Sequence, residues 1–116
     1  MKSLVFIIVA ALLLSCDRND EAPPSEIFEV TTWGISRDCK LVVIDFQESD
    51  RLRIEGLSGS TGIRYEGLNL DVNKFGQSGK KLRVRPRKTF DSESFACTTQ
   101  YSSFPWVTVL HAEIID

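Results

Sequence analysis

From residue 27 onward the chain alternates apolar and polar positions, and β-branched residues recur within that alternation. This period of two predicts strands and not helices. Residues 27–33 give a first strand that continues weakly to Ser36. Residues 40–47 give a second, apolar on both faces for most of its length and therefore central. Glu48, Ser49 and Asp50 form a turn. Residues 51–55 alternate cleanly and predict a third, half-buried strand with Leu52 and Ile54 inward. A glycine- and serine-rich loop spans 57–62, and residues 63–70 form a further strand or an extended return. Residues 69–75 hold one short helical turn, ended by Gly76 and Gly79. Residues 81–87 give a strand with Leu82 and Val84 inward, where Pro86 demands an edge or a bulge. A long loop over 89–103 carries Cys97, with room for a short strand at 95–98. Residues 106–115 give the last strand.

The order strand, strand, strand, short helix or loop, strand, strand fits an all-β domain. A small five-stranded OB-like barrel with at most one short helix is the expected architecture, with an antiparallel β-sandwich as the alternative.

The N-terminus has a different pattern. Lys2 is followed by an unbroken apolar run over residues 4–14. A bilayer span needs about 20 apolar residues, so this run has the shape of a secretory signal and not of a transmembrane helix. It ends in Leu13-Leu14-Ser15-Cys16, which resembles the lipobox of bacterial lipoproteins. The resemblance implies cleavage before Cys16 and attachment of fatty acyl chains, such as palmitate, to that residue. It implies export and a membrane anchor on the bacterial cell envelope, facing the periplasm or the cell surface. Residues 16–26 then form the lipidated cysteine and a polar tether containing Pro23-Pro24. Residues 27–116 form a single domain. Asp17 suits an inner-membrane retention signal or a surface-export signal, and the membrane stays open between them.

With Cys16 assigned to lipid, Cys39 and Cys97 remain. A pair of cysteines in an exported protein predicts a disulfide, with two buried thiols or a metal pair as alternatives. Two cysteines and the single His111 do not fill a tetrahedral zinc site, so no metal and no cofactor is expected. Residues 39–115 are also similar to small OB-fold-like envelope lipoproteins. The similarity rests on a cysteine opening the second strand, the segment Tyr65-Glu66-Gly67-Leu68-Asn69-Leu70, the stretch from Phe75 to Gly79, the basic strand, and a cysteine before an apolar last strand. It implies fold and export and brings no catalytic residue with it.

The 116 residues carry a net charge of −2, so no global basic charge points to nucleic acid. Yet six of the fourteen basic residues fall in the run 80–88. On a strand Lys81, Arg83, Arg85 and Arg87 face one way, about 6.6 Å apart. Such a ladder suits an anionic glycan or a lipid headgroup, since arginine presents a fork of donors. It equally suits edge protection, or pairing with Glu55, Glu66 or Asp45. Tyr65, Tyr101, Phe104 and Trp106 form a candidate aromatic platform for sugar or peptide, which Trp33 joins; the competing reading plugs a barrel end with them.

No hydrolytic signature stands out. There is no Gly-x-Ser-x-Gly elbow beside His111. Glu48, Asp50, Asp91 and Glu93 lie in turns. The expected function is a non-catalytic binding or interaction module, whose partner is a glycan, a lipid headgroup or an envelope protein. A structural accessory subunit is the alternative, and a small hydrolase comes third.

Overall fold

The computed structural model describes residues 26–97 and 104–115. The expected signal, the expected lipobox with Cys16, the expected tether to residue 25, and Tyr101 all lie outside the described residues. Among the described residues there are five strands: β1 (Phe28–Ile35), β2 (Val42–Phe46), β3 (Arg64–Leu68), β4 (Lys81–Lys88) and β5 (Trp106–Ile114). They close into a barrel in the order β1-β2-β3-β5-β4. Every neighbouring pair is antiparallel except β3 and β5, which run parallel. This is the expected OB-like all-β barrel.

Alternation builds the interior. β1 buries Phe28, Val30 and Thr32 and exposes the residues between them. β4 does the same with Leu82, Val84 and Pro86. Inside, Phe28 meets Phe46 edge to face at 5.2 Å, and Phe46 meets Tyr65 at 5.5 Å. Such aromatic pairs each add about 0.5–1.5 kcal/mol beyond the area they bury. The ladder between β4 and β5 slips between Arg85 and Pro86. Pro86 therefore sits at a bulge inside a closed barrel, not at an edge.

The segment expected as a third strand is a helix. α1 (Arg51–Ser58) follows a 3-10 turn at Glu48–Asp50. Its apolar positions read correctly only at helical spacing. Ile54 is fully buried, Leu57 packs on the core and Ser58 is buried, at i, i+3 and i+4. Leu52, expected inward, is 82% exposed. Charge pairs at helical spacing support the turn: Glu48–Arg51 at 2.8 Å, Asp50–Arg53 at 2.7 Å and Arg51–Glu55 at 3.6 Å. Gly59 ends the helix in the left-handed conformation at φ 79°, where a side chain would be strained. Five residues of alternation cannot separate a strand from a helix when both place charge at i, i+2 and i+4.

α2 (Val72–Phe75) is the short helical turn expected between 69 and 75. Asp71 caps it by accepting from the amides of Asn73 and Lys74, and Phe75 is buried. α1 follows the Phe46 end of β2, and α2 follows the opposite end of β3, so the helices cap opposite ends of the barrel. Between 89 and 97 the described chain forms a 3-10 turn at Asp91–Glu93 and no strand at 95–97.

Cys39 and Cys97 form a disulfide with their Cα atoms 5.0 Å apart. It joins the β1–β2 connection to the β4–β5 connection. A bridge of this kind points to an oxidising compartment.

Candidate binding face

The outward positions of β2 and β3 fall in two rows. Val43 is paired with Glu66, and Asp45 with Arg64. Between them Ile44 and Tyr65 point into the barrel.

The first row is covered. Val43 and Glu66 project from the barrel wall, yet both are fully buried. Ser36, on the β1–β2 connection, donates its hydroxyl to Glu66 Oε1 at 2.7 Å. The amide of Glu66 donates to the Pro105 carbonyl at 2.8 Å. Ser36, Phe104 and Pro105, which belong to the two connections joined by the disulfide, thus lie outside the barrel wall against Glu66. Burial pushes the Glu66 carboxyl above its ordinary range, opposed by the Ser36 hydroxyl and the Phe104 amide. Its Oε2 accepts no hydrogen bond among the described residues.

The second row is open. Arg64 Nε and Nη2 donate to the two Asp45 oxygens at 2.6 and 2.9 Å, a two-pronged pair. The guanidinium lies 5.0 Å from the Trp33 ring centre and 5.7 Å from that of Phe104. The two rings meet edge to face at 6.1 Å. They fix the arginine by cation–π attraction. Beside them is an open hollow of about 370 Å³, lined by Asp45, Thr61, Gly62, Ile63, Arg64, Phe104 and Pro105.

The expected aromatic platform is divided. Tyr65 is not a surface residue: it is fully buried, and its hydroxyl meets Ser58 Oγ at 2.9 Å. Its register opposite Ile44 turns it inward. Trp106 packs on Phe95 at 4.9 Å and does not line the hollow, and Tyr101 lies outside the described residues. Phe104 remains, joined by Trp33.

The basic ladder does face outward from β4, but half of it is neutralised. Arg83 pairs with Glu113 at 3.1 Å. Arg87 makes a two-pronged pair with Glu93 at 2.8 and 2.7 Å and lies 4.1 Å over the Phe90 ring. Arg87, together with the Phe90 amide, holds the Glu93 carboxyl down to about 2. Among the described residues Lys81 and Arg85 have no ion pair, and the residue opposite Arg85 is His111. The ladder's acidic partners come from β5 and the 3-10 turn. The expected ones are engaged elsewhere: Glu55 with Arg51 and the Gly62 amide, Asp45 with Arg64, and Glu66 under the sealed layer.

His111 is exposed and 3.8 Å from Glu113. Glu48 and Asp50 are spent on Arg51 and Arg53. Among the described residues no cluster of three metal-ligating side chains occurs.

The Arg64–Asp45 pair was legible in one respect only. Asp45 interrupts a strand of otherwise apolar residues, and an acid on a central strand needs a cation opposite. Which cation depends on register, which the sequence leaves open. No family model matches the chain, and no curated protein or solved structure is significantly similar to it.

Proposed function

We propose that the chain is a non-catalytic binding module of the bacterial cell envelope, anchored through acyl chains on Cys16, and that it binds carbohydrate in the hollow beside Arg64. One observation carries this reading: a planar Arg64–Asp45 pair held against two aromatic rings at the rim of a small hollow. Sugars offer that combination of apolar C–H faces and adjacent hydroxyls. The volume lies near the lower end of the roughly 300–1,000 Å³ typical of small-molecule sites. OB-like barrels commonly bind on the face of their second and third strands, which is where this hollow lies.

The non-catalytic part of this reading rests on the lining of the hollow. Glycoside hydrolysis uses two carboxyl groups about 5–10 Å apart. The hollow's lining holds Asp45 as its carboxylate, and both its oxygens are engaged by Arg64. The accessory-subunit reading has its own support. Phe90 and Phe95 are 56% and 48% exposed, and apolar rings left open to water suit a protein contact.

The test is a glycan screen with the oxidised full chain in detergent. Binding that Trp33→Ala and Arg64→Gln abolish, and that Arg83→Glu/Arg85→Glu leaves intact, supports the reading. Absence of binding to every glycan refutes it and favours the accessory subunit. Binding lost only in the Arg83/Arg85 variant transfers the site to the ladder. The anchor is tested separately: Cys16→Ser must abolish labelling by radioactive palmitate.

A further inference from the structure

The proposed sugar site has boundaries, and they limit which part of a saccharide enters. We infer that the hollow takes the end of an uncharged saccharide chain, and that a chain running across the barrel is excluded because the loops joined by Cys39–Cys97 seal the adjoining half of the face. This inference rests on the carbohydrate reading above and narrows it.

Two rows of outward positions form the β2–β3 face. Adjacent rows are about 6.6 Å apart, two strand residues, which is close to the length of one sugar unit. A chain extending along the strands from Asp45 and Arg64 would next cross Val43 and Glu66. Those residues are fully buried, Glu66 against Ser36 and Pro105 of the joined connections. Trp33 and Phe104 stand at the boundary, with the Arg64 guanidinium against both rings. Across the strands, Phe104 and Pro105 line the hollow and lead directly into β5, so that direction is walled as well. Among the described residues the surviving opening is toward Thr61, Gly62 and Ile63, on the connection between α1 and β3. A ligand that enters from one side and stops is a chain end.

Charge selects the ligand further. The Arg64 cation is matched by Asp45 through two hydrogen bonds of 2.6 and 2.9 Å. An acidic sugar would have to separate this pair and leave Asp45 facing a like charge. A neutral pair of hydroxyls needs no such separation. One hydroxyl donates to an Asp45 oxygen, and its neighbour accepts from an N–H that Arg64 does not spend on Asp45. The unpaired cations Lys81 and Arg85 are on β4, which does not neighbour β2 or β3 in the barrel. They do not add to the charge of this site.

The experiment uses the oxidised full chain in detergent and a panel of neutral oligosaccharides of glucose, galactose, mannose, xylose and N-acetylglucosamine. Each is presented in three forms: tethered by its reducing end, tethered by its other end, and blocked at both ends. Acidic counterparts are run beside them. The expected result is binding of at least one neutral sugar through one free end, at least tenfold tighter than the doubly blocked form and the acidic counterpart. Cys39→Ala/Cys97→Ala should raise binding of the blocked form toward that of the free-ended one. The comparison within the native protein does not depend on that variant folding. Equal binding of blocked and free-ended chains overturns the end-binding inference while leaving the carbohydrate reading intact. A preference for acidic sugars overturns the charge argument. Binding of no sugar removes the carbohydrate reading and the inference with it.

Discussion

Removing the Cys39–Cys97 bridge perturbs two things of calculable size. The bridge closes a loop with a sequence separation of 58. In the chain-entropy treatment, constraining a loop of that length in the unfolded state is worth about 4 kcal/mol. For a domain of this size each kcal/mol corresponds to roughly 4–8 °C in Tm. The reduced protein, and the Cys39→Ala/Cys97→Ala variant, should therefore melt about 15–30 °C below the oxidised one. Far-UV circular dichroism on heating, with and without a dithiol reductant, measures the difference. A shift below about 5 °C would refute the assignment of the bridge as the domain's main cross-link.

The structure adds a local expectation to this global one. The Ser36 amide donates to the Leu41 carbonyl at 2.8 Å within the β1–β2 connection, and the Glu66 amide donates to Pro105 at 2.8 Å. Both lie in the layer that the bridge fastens. The Phe46 amide donates to Ile63 at 2.8 Å, at the other end of the barrel. In the reduced but still folded protein, hydrogen exchange should accelerate at Ser36 and Glu66 more than at Phe46. Uniform acceleration at all three would mean that the bridge acts only through the unfolded state, and that the outer layer holds without it.

Three further outcomes are expected. Ile54→Ala should cost about 2–5 kcal/mol in urea unfolding, as a fully buried side chain, while Leu52→Ala should stay within about 0.5 kcal/mol; similar costs for both would contradict the helical assignment of 51–58. For Glu66 the folded carboxyl titrates above its ordinary 4.5, chiefly because it is buried. Its contribution is fully present below pH 4.5 and is lost as pH rises through the folded value, so Glu66→Gln should be the more stable protein at neutral pH; a variant weaker than the wild type there would overturn this. Glu93 titrates near 2 instead of 4.5, with Arg87 the main cause. Its contribution is present above pH 4.5 and disappears as pH falls toward 2, so Glu93→Gln should flatten the acid limb of the stability curve over that interval.

How much of this could be read from the chain follows from the range of the interaction concerned. Alternation is local, so β1, β2, β4 and β5 and the inward Leu82 and Val84 were legible. The Asp71-capped turn was legible because its cap and its first amides are within three residues. The helix at 51–58 was not, since its evidence lies at i+3 and i+4, beyond the five residues that alternate. Tyr65 was misplaced on a surface because its face is set by pairing with Ile44 on β2. The outward direction of Arg83 and Arg87 was correct, but their partners Glu113 and Glu93 are supplied by other elements. The candidate site brings Asp45, Arg64 and Phe104 of the hollow's lining together with Trp33 beside them, from four separate segments of the chain. The register of β1, β2 and β3 aligns Trp33, Asp45 and Arg64, and the β4–β5 connection brings Phe104 to them.

The sealed and open rows explain each other. A domain of this size has a thin barrel core, and small domains bury a smaller share of their surface than large ones. Covering Val43 outside the wall adds buried apolar area without lengthening any strand. The connections must then be held down, and the disulfide does this covalently. Glu66 is the cost of that arrangement: a buried carboxyl with one oxygen lacking a hydrogen bond among the described residues. It also fastens the layer, because Ser36 on the β1–β2 connection donates to its other oxygen from outside β3. Once this half is sealed, Trp33 and Phe104 are fixed at its margin, and Arg64 is oriented against them. The same cover that stabilises the barrel therefore shapes the hollow. Reducing the bridge should weaken both stability and the selectivity of the proposed saccharide binding, whereas Ile54→Ala, at the α1 end of the core, should lower stability and leave that selectivity unchanged while the protein stays folded.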